Sequence, residues 1–139
     1  MGWALIRPGL RGRRRGDAVV EFALLAPTLL LILFGILEIG RVIDTWLIVE
    51  NGAREGAREA ASASLGLDPA TVAQQTASAY LSSALAGRGD VAIVTPVVVV
   101  DANNVQVNAE VDVQLYTPIF QSMFPSPMPV RASASMRRQ

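Results

Sequence analysis

From Ala18 to Leu37 the chain reads AVVEFALLAPTLLLILFGIL, and only Glu21, Pro27, Thr28 and Gly35 interrupt the apolar run. Twenty helical residues rise about 30 Å, the hydrocarbon thickness of a bilayer. The core helix of a small soluble domain needs fewer, so the run reads as a transmembrane helix. It also exceeds the ~7–15-residue apolar stretch of a cleaved secretory signal. No small-x-small cleavage site closes it before Glu38, Gly40 and Arg41. Helical character continues through residues 38–64, which lack Pro and are rich in Ala, Glu and Arg. Val42, Trp46, Val49, Ala53, Ala57 and Ala60 recur there at three- and four-residue spacing, an apolar stripe. Glu50 and Arg54 form an i,i+4 pair in the favourable order, worth about 0.2–0.5 kcal/mol. Trp46 is of the type that marks a membrane interface. Unbroken helix over 18–64 would run roughly 70 Å, with a kink expected at Pro27.

Gly66 ends that pattern, and Asp68-Pro69 opens another as an N-cap followed by Pro at the first helical position. Residues 69–86 carry Val72, Thr76, Ala79, Tyr80, Leu81 and Leu85 at mostly helical spacing, and Gly87-Arg88-Gly89-Asp90 stops them. The Arg-Gly-Asp triplet matches an integrin-binding tripeptide, but three residues carry little information and a helix-ending turn is the simpler reading. Residues 91–100 (VAIVTPVVVV) are β-branched with Pro96 inside, which predicts an edge strand or a bulge. Asp101 to Asn104 is a turn. Residues 105–115 alternate strictly: Val105, Val107, Ala109, Val111, Val113 and Leu115 face one way, and the intervening polar residues the other. The Pro-rich segment 117–129 is expected as a loop, and Val130, Ala132, Ala134 and Met136 alternate again in a last strand over about 129–137.

The pattern therefore predicts an α+β fold: a long N-terminal transmembrane helix continuing into an outer domain, where a second helix packs on a three-stranded antiparallel sheet. The expected divisions are a basic cytoplasmic leader, 1–16, the transmembrane helix, 17–40, and an extracytoplasmic domain, 41–139. That domain holds helices at 41–64 and 69–86 and strands near 91–100, 105–115 and 129–137. The sheet has one apolar face to cover, and both helices are available for it.

Charge orients this layout. The formal net charge is zero, but residues 1–16 hold five Arg and no acid, leaving −5 for the remainder. By the positive-inside rule the N-terminus is cytoplasmic and the residues past about 40 lie outside. An Arg run beside a span reads as a topology signal and a contact for anionic membrane lipid rather than a nucleic-acid interface. Apolar residues reach 51%, and mean hydropathy is +0.37, as a membrane segment requires. The chain has no His, Cys or Lys. That excludes zinc sites of His and Cys, Ser-His-Asp triads, Cys nucleophiles, Schiff-base lysines and disulfides. Asp101, Glu110 and Asp112 leave a carboxylate-only enzyme formally open, with nothing beside them that resembles a pocket or a metal cage. No catalysis, cofactor, metal or small-molecule substrate is expected.

The entrance to the span reads Arg13-Arg14-Arg15-Gly16-Asp17-Ala18-Val19-Val20-Glu21-Phe22. A carboxylate four residues inside an apolar segment costs up to about 2.5–3.5 kcal/mol at the bilayer centre and less near its edge. The arrangement resembles the class-3 signal of type IV pilin-like proteins, Gly followed by four residues, Glu and an aromatic. Beyond it, the span and the segment Asn51-Gly52-Ala53-Arg54-Glu55-Gly56-Ala57-Arg58 resemble the TadE-like family of Flp (tight adherence) pilus assembly proteins. The resemblance covers residues 13–61 and, more loosely, the closing VRASASMRRQ, where family tails often end in an acid and this chain has Gln139. Residues 66–128 show none.

The resemblance implies a non-enzymatic, pilin-like assembly protein (a pseudopilin) in the bacterial inner membrane. It implies a prepilin peptidase that cuts after Gly16, making Asp17 the new N-terminus with Glu21 fifth and Phe22 sixth. It further implies that the Glu21 carboxylate meets such an amine on a neighbouring subunit, and that the partners are other pilin-like subunits and the Tad secretion machinery. The residues themselves add that Gly52, Gly56 and Ala60 lie four apart as a small-residue face, which lets another backbone approach closely. Arg54 and Arg58 lie on a neighbouring stripe, available to a partner's carboxylates. The same features fit a face packed only within its own domain. An uncleaved single-span anchor displaying a small sensor or adhesin domain is the competing reading.

Overall fold

The computed structural model describes residues 13–63 and 67–138. Most of the basic leader, with Arg7 and Arg11, lies outside the described residues, as do the helix-ending Gly66 and Gln139. Three helices and three strands follow in the order α1 (Arg13–Ala61), α2 (Pro69–Ala84), β1 (Val91–Val100), β2 (Asn104–Val113), α3 (Pro118–Met123) and β3 (Met128–Arg137). The architecture is the expected α+β one. Contacts divide the chain into two units, 1–36 and 37–139.

In the first unit α1 is long and apolar enough to cross a membrane, and its apolar side chains from Val19 to Leu33 are exposed. Helix starts at Arg13, inside the expected leader: once the span is helical, each added residue gains one backbone hydrogen bond without a new nucleus. It continues through Pro27. At the other end α1 stops at Ala61, three residues before the expected boundary. Ser62 Oγ bonds the Arg58 and Glu59 carbonyls at 3.3 and 3.1 Å, closing the last turn.

In the second unit one core joins three layers. Val49, Ala53, Ala57 and Ala60 of α1 and Ala73, Ala77, Leu81 and Leu85 of the α2 segment meet the apolar face of the sheet. Trp46 departs from the expected stripe: it is 43% exposed, and Thr45 is buried in its place. Of the expected α2-segment positions Leu81 and Leu85 are buried, and the others are not. Val72, Thr76 and Tyr80 are half-buried and Ala79 is exposed, while Ala73 and Ala77 lie at the contact. The reason is the seam with α1. A Cβ added to Gly56 would sit 2.7 Å from the Ala73 carbonyl oxygen and 3.0 Å from the Ala77 Cβ, so only small residues fit on either side.

α2 opens as expected. The Asp68 carboxylate accepts from the Ala70 and Thr71 amides at 3.4 and 3.1 Å and from the Thr71 hydroxyl at 2.7 Å. These bonds, the hydroxyl's first, hold the Asp68 carboxyl below its ordinary pKa despite the small opposing effect of burial. Gly87 takes φ +81° beyond the helix end, a conformation that favours glycine, and the Arg88 amide reaches the Leu85 carbonyl at 3.1 Å.

The sheet order is β1-β2-β3, antiparallel throughout. β1 is an edge strand whose register shifts between Val94 and Val97, around Pro96. Val105, Val107, Ala109, Val111 and Val113 are buried, as the alternation required. β2 ends at Val113, two residues early. Its partner β1 begins at Val91, opposite Val113, so Gln114 and Leu115 have no strand to pair with there. The segment expected as a loop contains α3. Pro118 at its first position starts it as Pro69 does α2, though Thr117 makes no side-chain cap bond, and stacked Phe120 and Phe124, with centroids 6.4 Å apart, close it. The Pro content of 117–129 concealed that start signal.

The register sets a stability test. Val111→Asp places an unpaired charge in the core and should cost about 3–5 kcal/mol in urea unfolding of the detergent-solubilised chain. Gln114→Asp, at an exposed side chain, should shift it by less than about 0.5 kcal/mol. Equal losses would disprove the facing of β2.

Candidate functional site

The chemistry-bearing residues fall in three places. Gly16, Asp17, Glu21 and Phe22 lie on the first unit's part of α1, all exposed. Asp17 and Glu21 are one turn apart on one face. Among the described residues Glu21 has no ion-pair partner. Gly16 is more informative. A Cβ built there meets nothing within 4 Å, and the residue is helical, where Gly costs about 1 kcal/mol relative to Ala. The described fold places no demand for glycine at this position.

The second place is Asn51–Arg58. Gly52 and Gly56 are buried, and α2 of the same chain makes the close approach over them, with Leu81 and Tyr80 against Gly52 and Ala73 and Ala77 against Gly56. Arg54 and Arg58 are exposed on the other side of α1. Arg54 pairs with Glu50, as the spacing predicted, and Arg58 holds Glu55 with Nε–Oε2 at 3.1 Å. The hydrogen bond from Arg58 keeps the Glu55 carboxyl below its ordinary pKa, and Glu55 raises Arg58 in turn. Each guanidinium keeps N–H donors for a further acceptor.

The third place is one that sequence reasoning missed. Arg41 donates to Asp90, to Glu38 Oε1 at 3.2 Å and to the Gln114 carbonyl at 3.3 Å, and its guanidinium carbon lies 4.1 Å from the Tyr116 ring centroid. Glu38 Oε1 also accepts the Tyr116 backbone N–H at 3.0 Å. Arg88 reaches Asp44 Oδ2 and Thr45 Oγ1, both at 2.9 Å, and the Thr45 hydroxyl donates to the Arg41 carbonyl at 2.8 Å. Glu38 and Asp90 are buried and Arg41 is half-buried. Burial pushes the Asp90 carboxyl up. The Arg41 hydrogen bond, its own backbone amide and the Arg41 and Arg88 charges outweigh that and hold it below the ordinary value. The signal was the spacing Glu38, Arg41, Asp44, Thr45 on one side of a helix leaving a span, answered by Arg88 and Asp90. The Arg-Gly-Asp triplet is thus a turn whose two charged side chains hold α1, and Asp90 is turned inward.

Among the described residues no three His, Cys, Asp or Glu gather as a metal would require. Glu110 is paired with Arg131 across β2 and β3 at 2.9 Å. That pair raises the Arg131 pKa, the Glu110 hydrogen bond acting first.

A chain with one helix fit to span a membrane and an α+β unit of helices on a three-stranded antiparallel sheet is the class of protein this defines. A family model described as TadE-like protein matches residues 16–58, which take in both motifs, from Gly16 to Arg58. The resemblance read from the sequence is borne out over those residues. No curated protein and no solved structure gave a match.

Asp90 supports a pH test. Its lowered folded pKa means that its contribution is complete above the unfolded carboxylate value and is lost as pH falls through the folded one. Asp90→Asn should cost about 1.5–3 kcal/mol at neutral pH, since Arg41 keeps Glu38. The gap between variant and native chain should narrow below about pH 4. A gap constant with pH, measured by urea unfolding, would contradict the network.

Proposed function

We propose that this chain is a non-enzymatic, minor pilin-like subunit that serves assembly of Flp/Tad-type pili. The observation that carries the reading is the TadE-like match, which starts at Gly16 and ends at Arg58. That match supports association with the Tad pilus. The finer steps rest on the chemistry of the residues. A prepilin peptidase in the inner membrane cuts between Gly16 and Asp17. Glycine there, which nothing within the described fold requires, leaves the scissile bond unobstructed to an intramembrane active site. The five Arg of the leader hold the N-terminus in the cytoplasm and the residues after about 40 outside.

Cutting removes those charges and creates an amine on Asp17. Glu21, on the apolar part of α1, is poorly solvated in lipid, and an unpaired carboxylate there tends to take up a proton. A neighbouring subunit displaced by about one turn brings its own Asp17 amine to Glu21. That pairing offsets the desolvation cost and adds a contact that a wrong partner lacks. Arg54 and Arg58 offer donors on the outer part of α1 to carboxylates of pilin-like subunits or of the Tad machinery. No nucleic acid and no small molecule enters this scheme.

Two measurements test it. Intact mass of the chain from membranes of a cell with the peptidase should begin at Asp17, and Gly16→Leu should leave the full-length chain; a native chain still beginning at Met1 supports the uncleaved anchor instead. Glu21→Gln keeps size and removes charge. It should insert normally but lose co-purification with other pilin-like subunits and abolish piliation. Normal pili with co-purification intact would leave Glu21 as an interfacial residue satisfied by its own Asp17 amine.

A further inference from the structure

Between Asp112 and Arg131 lie eighteen residues, Val113 to Val130, without a charge. A solvated connection such as that between β2 and β3 normally carries charge and hides its apolar groups. This one exposes them: Tyr116 is 64% and Met123 68% exposed, with Ile119 and Phe124 close to half. α3 and its flanks display these residues, and two polar side chains of α3 bond nearby backbone carbonyls. Gln121 donates to the Leu115 carbonyl, and Ser122 to the Ile119 carbonyl at 2.7 Å.

The segment is also tied to one level of α1. The Tyr116 amide bonds Glu38, Arg41 bonds the Gln114 carbonyl, and the Arg41 guanidinium lies over the Tyr116 ring. Beside these contacts is an apolar groove of about 290 Å³ lined by Ile39, Val42, Leu115, Phe120, Phe124 and Met128. Ile39 and Ile43, both more than half exposed, follow the apolar run within two turns. At about 1.5 Å per residue they stand roughly 3–9 Å past residue 37, at headgroup depth if the span ends there.

We infer that α3 and its flanks, with Ile39 and Ile43, form a second membrane contact: an interfacial anchor that lies in the outer leaflet beside the exit of α1. The occupant is lipid, and the observation that selects it is continuity with the span. The contacts from Glu38 and Arg41 hold Gln114 and Tyr116 beside the first turns of α1 after the apolar run, the stretch in which a spanning helix meets headgroups and Tyr and Phe partition favourably. The inference rests on α1 being a span, as the proposed function also does, but needs neither cleavage nor pilus assembly.

The chain has no cysteine, so single-cysteine fluorophores report one site each. The full chain is reconstituted in phosphatidylcholine vesicles with labels at Ile119→Cys, Met123→Cys, Leu30→Cys in the span and Ala102→Cys in the β1–β2 turn. Nitroxide lipids, spin-labelled at the headgroup or deep in the acyl chain, and aqueous iodide are the quenchers. The 119 and 123 labels should be quenched several-fold more by headgroup nitroxide than the 102 label, and several-fold less by iodide, at every protein-to-lipid ratio. Iodide quenching equal to that at 102 overturns the inference while a lipid-quenched Leu30 label leaves the span intact. Shielding from both quenchers, or shielding that disappears on dilution into lipid, means that a protein surface covers α3 and overturns it too. A Leu30 label untouched by deep nitroxide removes the span, and this inference with it.

Discussion

Arg41 between Glu38 and Asp90 is the interaction on which the second unit depends. It joins three parts of the chain far apart in sequence: the exit of α1, the turn before β1 and the segment after β2. Taking these charges partly out of water is costly, and their mutual attraction and hydrogen bonds offset that cost. Glu38 accepts from Arg41 and from the Tyr116 amide, and Asp90 from Arg41, with Arg88 3.6 Å away. Such a network contributes little net stability over apolar residues of the same volume. Its effect is positional: it sets which turn of α1 faces the start of β1, and it holds residues 114–116 there.

A second constraint is steric. Gly52 and Gly56 bring α1 against α2 closely enough that the Ala73 carbonyl nearly occupies the space of a missing side chain. Large side chains are kept off the seam, and Leu81 packs over Gly52 at its edge. Burial of the small face leaves the opposite side of α1 outward, where Arg54 and Arg58 stand. The seam and the charged stripe are two sides of one stretch of helix. A block that resembles a family signature in sequence is therefore half packing and half exposed charge, and a substitution in one half has a different meaning from one in the other.

The leading segment follows another logic. Nothing among the described residues accounts for Gly16 or for Glu21: one has open space around it, the other has no ion-pair partner there, and both carry a cost in a membrane helix. The second unit shows the reverse at its polar network and at Gly52 and Gly56, which meet partners within the chain.

What the sequence alone determined was everything governed by local periodicity and composition. The apolar run sets the span, the strict alternation over 105–113 sets the buried face of β2, and Asp68-Pro69 sets the start of α2. The resemblance from Gly16 to Arg58 was also readable, because it lies in one linear segment. Tertiary structure decided what depends on residues distant in the chain. It buried Thr45 rather than Trp46, chose Ala73 and Ala77 for the α2 seam, ended β2 where β1 begins and turned Asp90 inward. It also made a helix of 118–123 and set its segment at the level of Glu38 and Arg41. Periodicity reports which faces are apolar. Which apolar face meets which partner, and which charge answers which, is settled only when close packing and hydrogen-bond satisfaction act on all the elements at once.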